Sequence, residues 1–558
     1  MSNANHFPPI KPDKLNFFVR GITAALYLLA AALMFSLLKT KINPDGIAYL
    51  TIAKNYAGGH WVEAVSAYWS PLLSWVLAPF CWLPVEPLFI FYVLNVLAGL
   101  AGIGVFSALM VQLRFGQITQ YFLLPVCAVF MLRFAFYTST PDLISVVLLL
   151  FFLLYWLKGN LFERPLITAV WMAVLYFVKA YNVYFVTGLI CYEALALLLN
   201  KRIAWLRLGR NLVLLYVLFL VIISPWLFAL NHKYGSIMLA GTAGFNHGAA
   251  VVKLSLLDKG IPGTATLRDN YDFFTVFVDP PHKYSVFAWE DPVAKASYRD
   301  YAVFSSRENF LLQLRVIYTN ICQLLNGGSD MLTIIAFGIG LLLIGFFIKA
   351  KAVFKKTASV AWLLDQDISK LSIFSCIYLS GYILLFIEDR YLWINVMTGL
   401  LGLGYITGLV VATQQKFSRR QLFWPVCIAL LLAISTLTYQ LQWLHFFQAS
   451  RNNAQIGRAE YSFGQLLRSV KAYEKHMAHW PDKADNSLYV SWFTAYFAEG
   501  RHYNCLPGEI SRANELIIKD DISIVFVSDT AKLGVDFVIN TWKKVVGPVP
   551  DTDVYIKP

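Results

Sequence analysis

Residues 16–38 read NFFVRGITAALYLLAAALMFSLL, and this stretch decides the class of the fold. It is long enough for a transmembrane helix, which needs about 20 apolar residues to cross the hydrocarbon core of a bilayer. Lys11 and Lys14 precede it, Arg20 lies near its start, and no small-residue cleavage site follows it. We therefore predict an uncleaved signal anchor rather than a removed signal peptide.

The composition of the whole chain also indicates a membrane protein. Of its 558 residues, 58% are hydrophobic and 14% are charged, and the mean hydropathy is +0.57. A soluble protein carries roughly a quarter charged residues, so water-soluble, disordered and small disulfide-rich classes are excluded. The net charge of +13 does not indicate a nucleic-acid partner, because many basic residues occupy short loops between apolar runs. The seven cysteines form no CxxC pair or Cys/His cluster, which argues against a disulfide framework or a zinc site.

Apolar runs of about the spanning length recur along the first 440 residues. The sequence predicts a polytopic α-helical membrane protein with about eleven transmembrane helices. The predicted spans are 16–38, 88–111, 119–136, 143–157, 166–181, 183–199, 211–230, 330–349, 371–387, 392–413 and 422–440.

Basic residues occur in alternate loops, and this alternation predicts the orientation. The basic loops, which include those at 201–210 and 349–356, share the face of the N-terminus, and the positive-inside rule makes that face cytoplasmic. The opposite, outer face then receives the loops 39–87 and 231–329 and the tail 441–558. We expect the first of these loops to lie along the membrane surface as amphipathic helices.

The tail differs in character from the rest of the chain. Its charged helical stretch Arg458–His476 is followed by two β-like runs, Ser487–Val490 and Ile522–Val527. We predict two domains, a transmembrane domain at 1–440 and a small extracytoplasmic α/β domain at 441–558.

Three ionisable residues near the predicted outer ends of spans need an explanation. Asp45 follows the first span within Asn-Pro-Asp-Gly and is either a helix N-cap or a functional carboxylate at the membrane boundary. Asp142 precedes a leucine-rich run and can serve as a helix start. Lys179 lies between two apolar runs, where a lysine is costly unless it meets an anion. Asp142 and a lipid-borne phosphate are both plausible partners for it.

The turn Glu388-Asp389-Arg390-Tyr391 separates two long spans on the same face. An arginine matches phosphate oxygens in geometry and stays charged at any relevant pH. Arg390 either pairs with its own acidic neighbours or binds a phosphate group.

The histidines have no metal-ligand spacing, and the chain contains no glycine-rich phosphate loop and no GxSxG nucleophile motif.

Taken in order, three short motifs carry a family resemblance. They are Asp45-Gly46-Ile47-Ala48-Tyr49 continuing to Gly59-His60 and Ser70-Pro71-Leu72, then Thr140-Pro141-Asp142-Leu143, then Glu388-Asp389-Arg390-Tyr391-Leu392. Over residues 40–400 the chain resembles the GT-C superfamily of polyprenyl-phosphate-sugar glycosyltransferases, including aminoarabinose transferases and protein O-mannosyltransferases. It departs from them in two places. Protein O-mannosyltransferases usually have two adjacent acids in the first loop, where this chain has Asp45 and Gly46. Aminoarabinose transferases have Lys-Pro-Pro-Leu where this chain has Trp69-Ser70-Pro71-Leu72.

The resemblance implies a large outer cavity and inverting sugar transfer from a polyprenyl-phosphate donor to a lipid, glycan or protein acceptor. It implies that Asp45 is the general base. Arg390 and Lys179 would bind the donor phosphate. The supporting or substrate-binding candidates are Asp142, Tyr49, His60, Glu388 and Tyr391. No cofactor is firmly implied, and a divalent metal stays open but unsupported, because a lone aspartate is a poor site for a hard cation.

The resemblance leans towards bacterial members, which predicts a multi-pass protein of the bacterial inner membrane with its active site and C-terminal domain on the periplasmic side. Two other classes stay open. One is a transporter or lipid flippase, in which the same four charged residues would gate or couple ions. The other is a scaffold for an envelope assembly.

Overall fold

The structure is a computed structural model. It describes residues 14–159, 161–242, 244–248, 279–295, 303–326, 330–413, 457–469, 475–480, 486–506, 508–528, 533–548 and 552–558.

Helices make up most of the described part of the chain. In the first 199 residues they are α1 (Lys14–Leu38), α2 (Pro44–Ala57), α3 (Trp61–Ala64), α4 (Leu72–Leu77), α5 (Pro87–Gln112), α6 (Gln117–Tyr137), α7 (Asp142–Lys158), α8 (Pro165–Val178) and α9 (Tyr181–Leu199). They continue as α10 (Trp205–Tyr234), α11 (Pro292–Lys295), α12 (Arg307–Leu325), α13 (Asp330–Phe354), α14 (Val360–Leu364), α15 (Asp367–Ile383) and α16 (Trp393–Thr413). Single 3₁₀ turns lie at Ala78–Trp82, Ala288–Glu290 and Asp389–Leu392.

Seven helices of the described residues are long and apolar enough to cross a membrane. They include α1, α5, α6, α9, α10 and α13, and the seventh begins in the Asp389–Leu392 turn and continues as α16. Three further predicted spans coincide with α7, α8 and α15, which are shorter, with 17, 14 and 17 residues. The predicted run 422–440 lies outside the described residues. The polytopic helical class is therefore confirmed, whereas the count of eleven spans is not.

Helix α2 differs from the amphipathic surface helix that the sequence predicts. Ten of its fourteen residues are buried. It packs against α4, the Ala78–Trp82 turn and the Ala288–Glu290 turn. The expectation of an amphipathic helix is therefore wrong for α2, because protein covers it on nearly all sides. Its position along the membrane surface stays a prediction.

The C-terminal part contains a five-stranded sheet flanked by helices, in agreement with the predicted α/β class, although the sequence indicates only two β-like runs. Its strands are β1 (His476–Trp480), β2 (Arg501–Cys505), β3 (Ile524–Val527), β4 (Lys543–Val546) and β5 (Asp553–Ile556), in the spatial order β2-β1-β3-β5-β4. Strands β1 to β3 are parallel, and β5 pairs antiparallel with both β3 and β4. The helices are α17 (Arg458–Ser469), α18 (Asn486–Ala498) and α19 (Ile510–Lys519).

Two predicted elements of this region differ in outcome. The run Ile522–Val527 contains β3, as expected, whereas Ser487–Val490 is the start of helix α18. Leu488 and Val490 are buried while Tyr489 is exposed, and the helix as a whole contacts β1 and β2, so tertiary packing overrides the propensity for strand. The predicted domain boundary at 441 lies outside the described residues.

Contacts with the first outer segment hold the C-terminal domain against the transmembrane part. The Lys54 ammonium lies 4.4 Å from the centre of the Tyr496 ring, and the Tyr496 hydroxyl donates to Glu86 at 2.7 Å. Arg468 approaches Glu86 at 3.9 Å and Glu499 at 3.0 Å. Tyr496 and Phe497 belong to the same apolar core as the spans, so α18 packs directly on α2.

A buried histidine makes the stability of the C-terminal domain depend on pH. His502 on β2 is buried, and neither of its ring nitrogens has a hydrogen-bond partner in the described part of the chain. Burial, with a further contribution from His479, holds the His502 pKa well below its usual value. The folded state keeps this ring neutral while the unfolded state takes up a proton, so stability falls as pH drops below about 6.5.

We expect the free energy of unfolding to fall by up to about 1.4 kcal/mol per pH unit below that point. Thermal unfolding of the full chain in detergent between pH 7.5 and 5 tests this. The H502F variant is expected to lose less stability on acidification than the wild type, and identical slopes for the two proteins would refute the assignment.

Candidate active site

Four charged side chains from distant parts of the chain meet where helices α2, α7, α9 and α16 begin. Asp45 is the second residue of α2 and Asp142 the first of α7. Lys179 has an extended backbone in the break between α8 and α9, and Arg390 lies in the turn before α16. The structure thus brings together the base and both phosphate-binding residues that the resemblance predicts.

Ion pairs join these side chains directly. Arg390 Nη1 lies 2.7 Å from Asp45 Oδ2 and 3.9 Å from Asp142 Oδ2, and Arg390 Nε lies 2.7 Å from Glu388 Oε2. Lys179 Nζ lies 2.7 Å from Asp142 Oδ1. The exposed fraction of the side chain is 5% for Asp142, 13% for Arg390 and 18% for Asp45. These three charges are therefore largely removed from water, where a pair is screened much less than at the surface, whereas the Glu388 side chain is 43% exposed.

The contacts decide several alternatives that the sequence leaves open. Asn43, not Asp45, occupies the N-cap position of α2, and the Asp45 oxygens contact Arg390 and Trp289. The capping interpretation of Asp45 is therefore wrong. Lys179 has a protein partner in Asp142, and Arg390 pairs both with its neighbour Glu388 and with Asp45 across the site.

Tyrosine rings surround Lys179. Its ammonium lies 4.1 Å from the centre of the Tyr391 ring and 5.6 Å from that of Tyr382, and these two rings stack on each other. The Tyr391 hydroxyl also accepts a bond from Arg390 Nη2 at 3.3 Å. Cations bind to the faces of aromatic rings, so this arrangement stabilises the charge of Lys179 at low solvent exposure. The predicted supporting residue Tyr391 therefore belongs to the site.

The two remaining predicted supporting residues of the first outer segment have different positions. Tyr49 is buried one turn after Asp45 on α2, with its ring edge against Trp69. His60 follows the other end of α2, where its backbone N–H donates to the Asn55 carbonyl, about 15 Å from Asp45 along the helix axis at 1.5 Å per residue. Its ring stacks on Tyr284. The structure does not bring His60 to the charged cluster.

Trp289 contacts the proposed base, and sequence reasoning missed it. Its indole Nε1 donates to Asp45 Oδ1 at 3.1 Å. The residue lies in the long outer loop 231–329, which the sequence presents only as a polar stretch between two spans. Nothing in the local pattern relates it to an aspartate 244 positions away.

Gly46 allows α2 to approach the turn before α7. A Cβ at this position would lie 1.9 Å from Ser139 Oγ and 2.9 Å from the Ser139 carbonyl oxygen. The same contact is fixed by Asn43, whose Oδ1 accepts from the Ser139 backbone N–H at 3.1 Å. A second acid after Asp45 does not fit here, which gives a physical reason for the glycine where protein O-mannosyltransferases have two acids.

We expect G46A to separate α2 from Ser139 and to displace Asp45 from Arg390. Overpacking of this kind costs about 1–3 kcal/mol of stability. The matched control is G104A, because a Cβ on Gly104 of α5 meets no atom within 4 Å. Thermal unfolding is expected to show a clear loss for G46A and little change for G104A, and equal melting temperatures for both variants would contradict the proposed contact.

The carboxylates of this site pair with cations of the chain. Among the residues that the structure describes, no group of three or more His, Cys, Asp or Glu side chains could hold a metal ion. Three carboxylates, those of Asp45, Asp142 and Glu388, face two cations, those of Arg390 and Lys179.

Comparisons with known proteins give matches only among solved structures. No family model matches the chain, and no curated protein matches it. The chain is similar to ArnT from Cupriavidus metallidurans, a GT-C glycosyltransferase, in its apo state, with 12% identity and a TM-score of 0.42 over 96% of this chain and 97% of that one. It is also similar to ArnT of the same organism bound to undecaprenyl phosphate, with 12% identity and a TM-score of 0.40 over 97% and 98% of the two chains. At this level of similarity, no residue role or substrate is transferred to the present chain.

Proposed function

We propose that this protein transfers a sugar, with inversion, from a polyprenyl-phosphate donor to a lipid, glycan or protein acceptor outside the cytoplasm. The observation that carries the proposal is the ion pair between Asp45 and Arg390 beside the pair between Lys179 and Asp142. The Asp45 carboxylate, which can accept a proton, lies 2.7 Å from the Arg390 guanidinium. The same guanidinium lies 3.9 Å from Asp142, the partner of Lys179, so two groups that can bind a phosphate belong to one charged cluster with Asp45.

The proposed step is a single displacement. The acceptor hydroxyl oxygen attacks the anomeric carbon of the donor, and its proton passes to the Asp45 carboxylate. The bond between the anomeric carbon and the phosphate oxygen breaks, and polyprenyl phosphate leaves with the electron pair. Arg390 and Lys179 stabilise the charge that develops on the leaving phosphate. Attack opposite to the leaving group inverts the anomeric configuration.

The pairing of Arg390 suggests how the donor enters. Its Nη1 contacts Asp45, its Nε contacts Glu388, and its Nη2 contacts the Tyr391 hydroxyl. A donor phosphate therefore competes with Asp45 for the guanidinium. We propose that the phosphate takes over part of this contact and leaves Asp45 free to accept the proton from the acceptor. Asp142 holds Lys179 in position to contact the donor phosphate.

The location of the site supports an outer-facing enzyme. The first loop, the turn 137–142, the turn near Lys179 and the turn 388–391 are the segments that the basic-loop alternation predicts on one face. Their charged residues are in mutual contact, which is consistent with one shared face. We propose that this face is the periplasmic side of a bacterial inner membrane and that the C-terminal domain lies on the same side, against α2.

The experiment that tests this function uses the purified full chain in detergent with polyprenyl-phosphate sugars and a panel of acceptors. We expect acceptor-dependent release of free polyprenyl phosphate. A transporter or flippase needs a sealed compartment, so release in detergent separates the two classes. The proposal is overturned if no donor is consumed in detergent while the same protein moves a lipid or solute across the membrane of reconstituted vesicles.

A further inference from the structure

A short turn in the second outer loop is held rigidly at both ends. The Glu290 carboxylate accepts from the backbone N–H of Val286 at 2.6 Å and of Phe287 at 3.2 Å, so it closes residues 286–290 on themselves. The next residue, Asp291, accepts from the Tyr234 hydroxyl at 2.8 Å and pairs with Lys233 at 2.9 Å. Buried polar groups with these partners fix the backbone on both sides of Trp289.

This turn presents Trp289 to the proposed base. The backbone carbonyl of Trp289 accepts from the indole N–H of Trp69 at 3.0 Å. The ring of Trp289 packs against the rings of Tyr68, Trp69 and Phe245, with centroid distances of 5.7, 6.2 and 5.8 Å. The indole N–H is then directed at Asp45 Oδ1. Both the backbone and the ring of Trp289 are fixed before any substrate binds.

The two oxygens of Asp45 therefore have different donors. Oδ2 faces the Arg390 guanidinium, and Oδ1 faces the Trp289 indole. A donor phosphate that binds Arg390 weakens the first contact and leaves the second intact. A carboxylate that lost both of these donors would rotate about its side-chain bonds and lose the geometry that proton transfer requires.

We propose that Trp289 is a positioning residue that holds the Asp45 carboxylate in place when donor phosphate engages Arg390. This inference rests on the proposed function, because it assigns a role to Trp289 in the same reaction. The turn 286–291, fixed by Glu290 and by the Lys233–Asp291 pair, supplies the rigidity that this role needs.

The contact itself is tested without any activity measurement. The full chain is labelled with 5-fluorotryptophan, and the fluorine resonance of Trp289 among the sixteen tryptophans is identified by its loss in W289F. We expect D45A to shift this resonance. The matched control is D365N, because Asp365 pairs with Arg202 away from the site. An unshifted Trp289 resonance in D45A would overturn the contact.

The positioning role is tested by kinetics. The W289F variant keeps an aromatic ring and loses the indole N–H. We expect kcat to fall about 10- to 100-fold, which corresponds to the loss of one hydrogen bond to a charged group. The KM for the donor is expected to change less than about twofold. W82F, which removes an indole N–H that donates to Ala57 at an exposed position, is expected to retain wild-type kinetics. In a D45N background, W289F is expected to cause no further loss.

The outcomes separate this inference from the proposed function. A wild-type kcat in W289F, or a further loss when it is added to D45N, overturns the positioning role while the transferase function stands. A wild-type protein that transfers no sugar overturns the transferase function, and the positioning role falls with it.

Discussion

The D45N variant is expected to lower the rate of sugar transfer by about 10²- to 10⁴-fold, the usual contribution of a general base. The amide of asparagine keeps the shape of the side chain and cannot accept the proton of the attacking hydroxyl. Arg390 retains Glu388 as a charged partner in this variant, so we expect the chain to fold and to insert normally. The measurement is acceptor-dependent release of polyprenyl phosphate by the purified protein.

A matched control for D45N is D365N. Asp365 also pairs with an arginine, Arg202, through two contacts of 3.0 and 2.7 Å, but outside the charged cluster. We expect D365N to retain transfer. Turnover by D45N within a few-fold of the wild type would remove Asp45 as the base, and an equal loss in both variants would point to a general effect of lost ion pairs.

The R390A variant is expected to weaken donor binding far more than acceptor binding. Loss of Arg390 removes a phosphate contact and leaves Asp45 and Glu388 without their shared cation, and this excess of negative charge repels the donor phosphate. Because hydrogen bonds to charged groups contribute about 1.5–3 kcal/mol, we expect the donor KM to rise about 10- to 100-fold. The acceptor KM is expected to change much less.

Binding of undecaprenyl phosphate to the purified variants gives the same test without turnover. R202A serves as the control, because its ion pair with Asp365 is exposed and distant from the cluster. If R390A weakened donor binding and acceptor binding equally, Arg390 would have a structural role. If donor binding were unchanged, Arg390 would not belong to the phosphate site.

The spans are the part of the fold that the sequence predicts best, because twenty apolar residues in a row have few other uses in a protein. The shorter helices show the limit of this reasoning. The predicted spans 166–181 and 183–199 correspond to α8 and α9, but α8 ends at Val178 and has only 14 residues, so the break falls at Lys179 rather than after residue 181. The C-terminal run Ser487–Val490 has strand propensity and still forms a helix, because packing over the sheet decides its structure.

The charged half of the site is also visible in the sequence, because ionisable residues near apolar runs are costly without partners. Asp142 and Lys179 illustrate this, since each is a plausible partner of the other from the sequence and they form an ion pair in the structure. The aromatic half is not visible. Trp289 reaches Asp45 only through the tertiary packing of the turn 286–291, and His60 shares a motif with Asp45 but lies at the other end of α2.

The most direct test of the account is a structure of the full chain with bound undecaprenyl phosphate. We predict that the phosphate lies between the Arg390 guanidinium and the Lys179 ammonium and that the polyprenyl chain extends towards the bilayer. We also predict that the Asp45 carboxylate keeps its hydrogen bond from the Trp289 indole. A phosphate bound elsewhere on the chain, with the Asp45–Arg390 pair unchanged, would contradict it.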